Sequence, residues 1–505
     1  MSRIKVIMTS DVHAVIYPES YATGKQADQG LAKAAALIDT LKDENTILID
    51  NGDVLEGSPL AYFHFEKRRD KENPFTKAMN MVGYDFYNLG NHDFNHGVEV
   101  LSRHMNELQM PSISANISYQ GKPLSKPYHI VEKAGKKIAI FGVVTQYIPF
   151  WEKPQNIEGF AFEDAFECAK RIVKDIKTNE KADYIIGVYH GGFEKDPKTG
   201  LESESQTGEN EAYRMCSEIE GIDILLTGHQ HREMQGKLND TFYIQSAHDG
   251  KQLALAYIDT ETSETGGALL NVNTAPKKEF LDTFQEEEEA CQKWLDMPLG
   301  TSKVDLTIPD EFDARLHKSQ VITFLNNACL DASGAQLSAN ALFLRAKGFE
   351  SQITMRDLVS TYVFPNTLVV KKVSGKILKE YLERCARFWD IDNGKIIIEK
   401  SCDFPTPQYH NYDMIDGVEY EIKVSNAPGQ RITSLTRNGV PVKDDDEFTL
   451  CINNYRAAGG SGFEMLAKAE TIKEIQVNVV ELIADYIKKV KVIDFEPVNN
   501  IRVVI

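Results

Sequence analysis

The stretch Asn88–Gly97, NLGNHDFNHG, sets an amide, an imidazole and a carboxylate at three consecutive positions, Asn91, His92 and Asp93, behind the apolar residues Phe86, Tyr87 and Leu89. Gly90 just before them reads as a tight turn that lets the backbone come close to a bound group. Four further segments place similar side chains after their own apolar runs: Asp11-Val12-His13, Gly52-Asp53, His190-Gly191-Gly192 and Gly228-His229-Gln230-His231. Any one of them alone reads as a cap or a satisfied core group; together, in one half of the chain, they point to a shared site. The candidate donors are Asp11, His13, Asp53, Asn91, His190, His229 and His231. Carboxylate, amide and imidazole donors in this mixture suit borderline divalent ions (Mn, Zn, Fe, Co or Ni) better than Mg or Ca. They are too many for one tetrahedral ion and suit two ions sharing a bridge, for which Asp53 after a glycine is the natural carboxylate. Two such ions clamp a phosphate, make a water between them more acidic and steady the departing oxygen.

The elements that must carry these residues follow from the apolar periodicity. Ile4, Val6 and Met8 mark a buried strand, and Thr46–Asp50, Ile138–Val144, Tyr184–Tyr189, Ile222–Leu226, Phe242–Ile244 and Leu253–Ile258 mark others. On an extended segment Asp11 and His13 would point to one side and converge on a single ion. Leu31, Ala34, Ala35, Ile38 and Leu41 keep helical spacing, Pro74–Val82 reads as a helix, and Ser58-Pro59 reads as an N-cap with proline in the first turn. Strand, site residue at its carboxyl end, then helix is the grammar of an α/β layer protein. Residues 279–297 read as a connecting helix between an N-terminal domain, 1–278, and a C-terminal domain, 298–505. Its acidic run Glu286–Glu289 reads as a solvated face. The second half is expected to hold helices at Ser319–Ala328, Gly375–Phe388 and Val477–Val490, and strands at Thr367–Val373, Glu419–Val424 and Phe448–Ile452.

At 505 residues the chain exceeds one ordinary core. Hydrophobic residues at 42% and charged residues at 26% describe a globular protein. The formal charge of −19 argues against a polymeric nucleic acid as partner, because a phosphate backbone needs a cationic face. Seven dispersed cysteines without a C-x-x-C pair suit free thiols in a reducing compartment. With no leader-like N-terminus and no apolar run of membrane-spanning length, the expected location is cytoplasmic, with no membrane partner.

In this order D-x-H, GD, GNHD, HGG and GH-x-H resemble the metallophosphoesterase superfamily, and the whole chain is similar to its 5'-nucleotidase and 2',3'-cyclic-nucleotide 2'-phosphodiesterase family. The resemblance implies an α/β fold: a four-layer α/β/β/α metallophosphatase domain followed by a C-terminal α+β substrate domain of the 5'-nucleotidase type. It implies that Asp11, His13, Asp53 and His231 hold one metal, and Asp53, Asn91, His190 and His229 the other. His92 would stabilise the phosphoryl transition state or protonate the leaving group, with residue 95 orienting it. That residue is Asn95 where 5'-nucleotidases commonly carry Asp, which resembles the cyclic-phosphodiesterase branch. FPNTL at 364–368 and NNYRAAGGSGF at 453–463 are similar to segments supplying a base sandwich, here Phe364 and Tyr455. Ser461 stands in a slot that often holds a ribose-binding Asp. YHNYDMIDGVEYE at 409–421 also resembles the cyclic branch, and Asn340 and Arg345 align with polar substrate contacts. The implied function is hydrolysis of a nucleotide or related small phosphoester, favouring a 2',3'-cyclic-nucleotide phosphodiesterase with 3'-nucleotidase activity. A 5'-nucleotidase, a nucleotide-sugar hydrolase and a catalytically silent nucleotide-binding protein are the alternatives.

Overall fold

The computed structural model describes residues 3–203, 206–362, 366–403, 407–475 and 477–505. The chain divides into two compact units, Met1–Gln292 and Lys293–Ile505.

In the first unit, apolar alternation builds two sheets. One orders the strands Thr265–Asn271, Gln252–Asp259, Arg3–Thr9, Thr46–Asp50 and Phe86–Tyr87, with Arg3–Thr9 parallel to Thr46–Asp50 and antiparallel to Gln252–Asp259. The other orders Met234–Leu238, Thr241–Gln245, Ile224–Thr227, Tyr184–His190, Lys136–Val144 and His129–Lys133, and its four inner strands are parallel. Ile4, Val6, Met8, Ile47 and Ile49 of the first sheet bury against Ile138, Ile140, Ile186, Val188, Ile224 and Leu226 of the second. The opposite face of the second sheet, through Phe141, Val143 and Leu225, packs on the helices Ala165–Asp175 and Ala212–Glu218. Helices Leu31–Leu41 and Pro74–Val82 bury Leu31, Ala34, Ala35 and Ile38 on one and Phe75, Ala78 and Met79 on the other. Because both faces are covered, strand residues of either parity are buried: Ile7 is as inaccessible as Val6. The parallel strands all present their carboxyl ends at one edge, where the motif loops lie.

Helix Lys278–Leu295 forms where periodicity placed it, but its acidic run is solvated only in part: Glu286 and Glu289 are exposed, whereas Glu287 is half-buried and Glu288 buried. Glu286 meets Arg68 at 2.7 Å, and Glu287 meets His64 at 2.9 Å and Arg68 at 3.0 Å. Glu288 is 4% exposed and accepts a hydrogen bond from the Tyr21 hydroxyl at 2.8 Å. The run docks the helix onto Pro59–Lys67 and the Tyr21 loop, contacts that lie more than two hundred positions away in sequence.

The second unit is built on a mixed sheet ordering Asp413–Asp416, Leu337–Ala341, Glu447–Asn453, Leu368–Ser374 and Glu470–Ile475, flanked by helices Gln320–Ser333 and Gly375–Ala386. The first of these helices runs past the expected end at Ala328, because the left-handed stop, Gly334 at φ 71°, lies further on. Val479–Val490 is helical after Asn478 caps it. All seven cysteines are buried and free, and no helix among the described residues is long and apolar enough to cross a membrane.

The run's ends should behave differently. Glu288→Ala removes a buried acceptor shared by the Tyr21 hydroxyl and the Gln292 amide and is expected to destabilise by roughly 1–3 kcal/mol, whereas Glu286→Ala, with a side chain 87% exposed, should fall within about 0.5 kcal/mol. Thermal unfolding of both variants checks the difference.

Candidate metal centre

Five of the seven candidate donors sit in the left-handed region that side-chain-bearing residues avoid: Asp11 at φ 55°, His13 at 52°, Asp53 at 59°, His229 at 68° and His231 at 56°. Each such residue costs roughly 1–2 kcal/mol, and their concentration at one place marks strain held by the surrounding fold. It also corrects the reason for the Asp11–His13 convergence: the two meet on a tight loop, not on an extended segment. Gly90 is likewise no turn, since its backbone is extended at φ −115°. It is glycine because a Cβ would lie 2.1 Å from Asp53 Oδ1 and 2.6 Å from His190 Cε1.

Asp93 holds this geometry. Its carboxylate accepts backbone N–H groups of Gly90 at 2.8 Å, Asp53 at 3.1 Å, Val54 at 2.8 Å and Leu55 at 3.1 Å, binding the loop after Thr46–Asp50 to the 91–94 turn. Across the sheets, Asn51 donates to Tyr189 O at 3.2 Å, and Asn88 donates to Val143 O at 2.9 Å and to Asn51 Oδ1 at 3.1 Å.

The donors gather as two groups, Asp11, His13 and His231, and Asp53, His190 and His229, with each group's ligand atoms within 4.8 Å of one another. Asp11 Oδ1 is 3.4 Å from His231 Nε2 and 3.9 Å from His190 Nε2, so the groups adjoin. Asn91 Oδ1 and Asp53 Oδ2 each lie 3.2 Å from His190 Nε2. Two rings are anchored from behind: His13 Nδ1 donates to Glu56 O at 2.8 Å and His190 Nδ1 to Asn51 O at 2.6 Å. That fixes the tautomer and turns the Nε2 lone pairs inward. His13 Nε2 then faces His231 Nε2 at 2.9 Å. Lone pairs and carboxylates converging in a buried space repel unless positive charge lies among them, and this donor chemistry fits divalent metal.

The charges already lean that way. Burial penalises the Asp11 and Asp53 carboxyls, yet the His190 imidazole and its neighbours outweigh the penalty and hold both well below the usual range. Burial also works against a charged His190, but Asp53 and Asp11 push it up to about 10, a demand for positive charge that a proton on Nε2 meets and that a bound cation would meet in its place. His13, buried and beside His231, drops to about 4.

His92 borders the pair. Its backbone N–H donates to Asp53 Oδ1 at 2.7 Å, and its ring lies 5.4 Å from that of His13. Its Nδ1 meets Asn95 Oδ1 at 2.7 Å. Burial opposes protonation of this ring, but Asp53, the Asn95 hydrogen bond, Glu56 and Glu152 together keep it above the ordinary histidine value.

Several neighbours belong to no sequence motif. Glu209 Oε1 is 3.0 Å from His229 Nε2, Trp151 stacks on the His229 ring at 5.4 Å, and His248 stacks on His231 at 4.6 Å. Glu209 follows no apolar run, and Trp151 and His248, which do follow them, form no donor motif with a neighbour, so only the folded chain reveals their contacts.

In the second unit, Tyr455 lies against Gly460, where a Cβ would come within 2.5 Å of the ring, and its hydroxyl pairs with Ser461 Oγ at 2.9 Å. Asn340 is 4% exposed, on strand Leu337–Ala341, and its amide donates to Asn326 Oδ1 at 2.9 Å. Arg345 is exposed on a loop at φ 60°, its backbone N–H bonded to Glu311. Phe364 lies outside the described residues.

Comparison with known proteins agrees with this layout. Residues 4–233 match the calcineurin-like phosphoesterase family, and residues 298–468 match the 5'-nucleotidase C-terminal domain. A crystal structure of a putative 5'-nucleotidase from Staphylococcus aureus superposes with a TM-score of 0.93 at 33% identity, covering 100% of both chains. A 2',3'-cyclic-nucleotide 2'-phosphodiesterase/3'-nucleotidase from Salmonella typhimurium is 27% identical over 90% of this chain and 81% of its own length. The trifunctional nucleotide phosphoesterase protein YfkN of Bacillus subtilis is also 27% identical over 98% of this chain, which spans 38% of that longer protein.

Gly90→Ala drives a methyl group into Asp53 and His190, so metal affinity measured by elemental analysis after graded dialysis should drop about tenfold or more, with far-ultraviolet circular dichroism unchanged.

Proposed function

The chain belongs to the calcineurin-like phosphoesterases that carry a 5'-nucleotidase C-terminal domain, which are metal-dependent phosphoric ester hydrolases, and from that premise we propose that it is a 2',3'-cyclic-nucleotide phosphodiesterase with 3'-nucleotidase activity. The observation that carries the phosphoesterase part of the reading is the convergence of the two donor groups beside His92. This family uses two divalent metals. Asp11, His13, Asp53 and His231 would hold one and Asp53, Asn91, His190 and His229 the other. Bound there, the ions supply Lewis-acid neutralisation of phosphate charge and a more acidic water.

The chain's own residues do the rest. The strained loops keep donors and His92 in place before substrate arrives, so no reorganisation is needed as charge develops. His92, held at Nδ1 by Asn95, is placed to share a proton with the departing ribose oxygen or to donate to the phosphoryl group. Opening a cyclic diester at one ribose oxygen leaves a 3'-monoester, and a second hydrolysis yields nucleoside and phosphate, so one site serves both steps.

The preference for the cyclic ester is supported by Ser461. Its hydroxyl pairs with Tyr455, and by resemblance it fills the slot in which many 5'-nucleotidases would place a carboxylate for free ribose hydroxyls. A 2',3'-cyclic nucleotide has no free vicinal pair to offer. Tyr455 and Phe364 would take the base, a stack worth roughly 1–3 kcal/mol per base. Relatives that bear the cyclic-phosphodiesterase name agree with this reading. The Staphylococcus aureus likeness favours a second reading, 5'-nucleotidase.

Phosphate release from 2',3'-cyclic AMP, 3'-AMP, 5'-AMP and UDP-glucose, each with Mn or Co, separates these readings. The first two substrates are expected to give the highest kcat/KM, whereas a clear lead for 5'-AMP sinks the cyclic reading, and inactivity on all four favours a silent nucleotide-binding protein. His92→Ala should lower kcat roughly a hundred- to ten-thousandfold while bound metal, measured by elemental analysis, is retained.

A further inference from the structure

Asn95 holds the ring of His92 with a neutral amide, and the nearest carboxylate in that chain of hydrogen bonds stands one residue further out. His92 Nδ1 is 2.7 Å from Asn95 Oδ1, and Asn95 Nδ2 donates to Glu152 Oε2 at 2.5 Å. Glu152 is itself fixed. Its Oε1 accepts from Lys153 N at 2.7 Å and from Asn156 Nδ2 at 2.8 Å, and the same Asn156 amide donates to Asn95 O at 2.8 Å. Carboxylate, amide and ring therefore form one line, clamped at its outer end by the segment Glu152–Asn156.

We propose that Glu152 is a positioning residue for phosphoester hydrolysis: acting through Asn95, it sets the proton on His92 Nδ1 and supplies the negative charge behind the ring. The directionality follows from donor chemistry. An ionised carboxylate only accepts, so Asn95 must turn its NH2 toward Glu152 and its oxygen toward His92. That oxygen also only accepts, so His92 Nδ1 must carry hydrogen, which leaves Nε2 as the nitrogen that serves the reaction. Without Glu152 the amide is free to face either way, and the ring is free to take either tautomer. Hydrogen bonds that end on a charge are about twice as strong as neutral ones, and a relayed line polarises each link in turn. Glu152 lies 57 positions from Asn95, on a different segment, so no local motif announces it. The inference rests on the role proposed above for His92.

The test relocates the charge. In Glu152→Gln the amide oxygen keeps Lys153 N and Asn156 Nδ2 as donors, so its NH2 faces Asn95, which must then turn its own oxygen outward and its NH2 toward His92: the charge is lost and the sense of the line is reversed. On 2',3'-cyclic AMP with Mn, it should lower kcat roughly tenfold or more, with KM and Tm unchanged. The double variant Asn95→Asp/Glu152→Gln moves the carboxylate to position 95, with the Gln amide donating to it, and should recover to within about threefold of the wild type, a non-additivity that independent sites do not show. In nitrogen-15 spectra of the zinc-loaded wild type, His92 Nδ1 should bear a proton. A double variant no better than Glu152→Gln, or an Nδ1 without a proton, overturns the proposal. If His92→Ala loses kcat while Glu152→Gln keeps it, the role of Glu152 alone falls; if His92→Ala keeps wild-type kcat, the reading of His92 falls and this one with it.

Discussion

A single buried carboxylate, Asp93, does for this site what no ligand residue can do for itself. By accepting four backbone N–H groups from two loops, it stitches the segment bearing Asp53 to the segment bearing Asn91 and His92. Those amides have no strand or helix partner, and unpaired they would each cost about as much as a lost hydrogen bond. Their pairing is what allows Asp53 to keep a left-handed backbone. The strain at Asp11, His13, Asp53, His229 and His231 is tolerated because the loops are tied down at both ends, by strand ladders behind and by side-chain hydrogen bonds in front.

The same logic joins the two sheets at the site edge. Between them the packing is almost wholly aliphatic, and apolar contact alone sets no fine registration. Registration comes from polar groups at the strand ends: Asn51 and Asn88 reach carbonyls of the second sheet, His190 reaches back to Asn51 O, and the His229 backbone donates to Asp11 at 3.1 Å. The Asn51, Asn88 and His190 bonds are buried, so breaking one leaves a polar group in a medium that cannot solvate it. Donors drawn from both sheets are thereby held as one cluster.

In the second unit a charged residue plays the organising part. Arg456 is 2% exposed, pairs with Asp413 at 2.6 Å, donates to Gly460 O at 3.0 Å and to His410 O at 2.6 Å, and lies 3.8 Å above the Phe463 ring. Tyr381 shares Asp413 at 2.6 Å. A buried ion pair of this kind costs desolvation and adds little net stability, but it specifies one arrangement. Here that arrangement ties the segment 409–416 to the segment 453–463, which the sequence presents as two unrelated motifs. Tyr455 and Ser461 take their positions from it.

Much of the first unit could be read from residue order. Alternating apolar residues marked the strands, Ser58-Pro59 marked a helix start, and polar triplets after apolar runs marked the donors, because each of these signals spans only a few neighbouring residues. The conformation of the donor loops could not be read: Asp11-Val12-His13 suggested extended backbone, whereas Asp11 and His13 are both left-handed, and only the close approach of Asp53 and His190 shows why position 90 must be glycine. Glu288 looked solvated because helical position says nothing of what a face meets. Glu152, Asp93's four amide partners, Glu209 and Arg456's carbonyls were likewise silent. What the sequence by itself determined is the inventory: which donors exist, on which side of which strands, and therefore the class of chemistry. What the tertiary structure alone decided is who touches whom, since hydrogen bonds between residues dozens to hundreds of positions apart depend on distance and direction in space, and neither leaves a period along the chain.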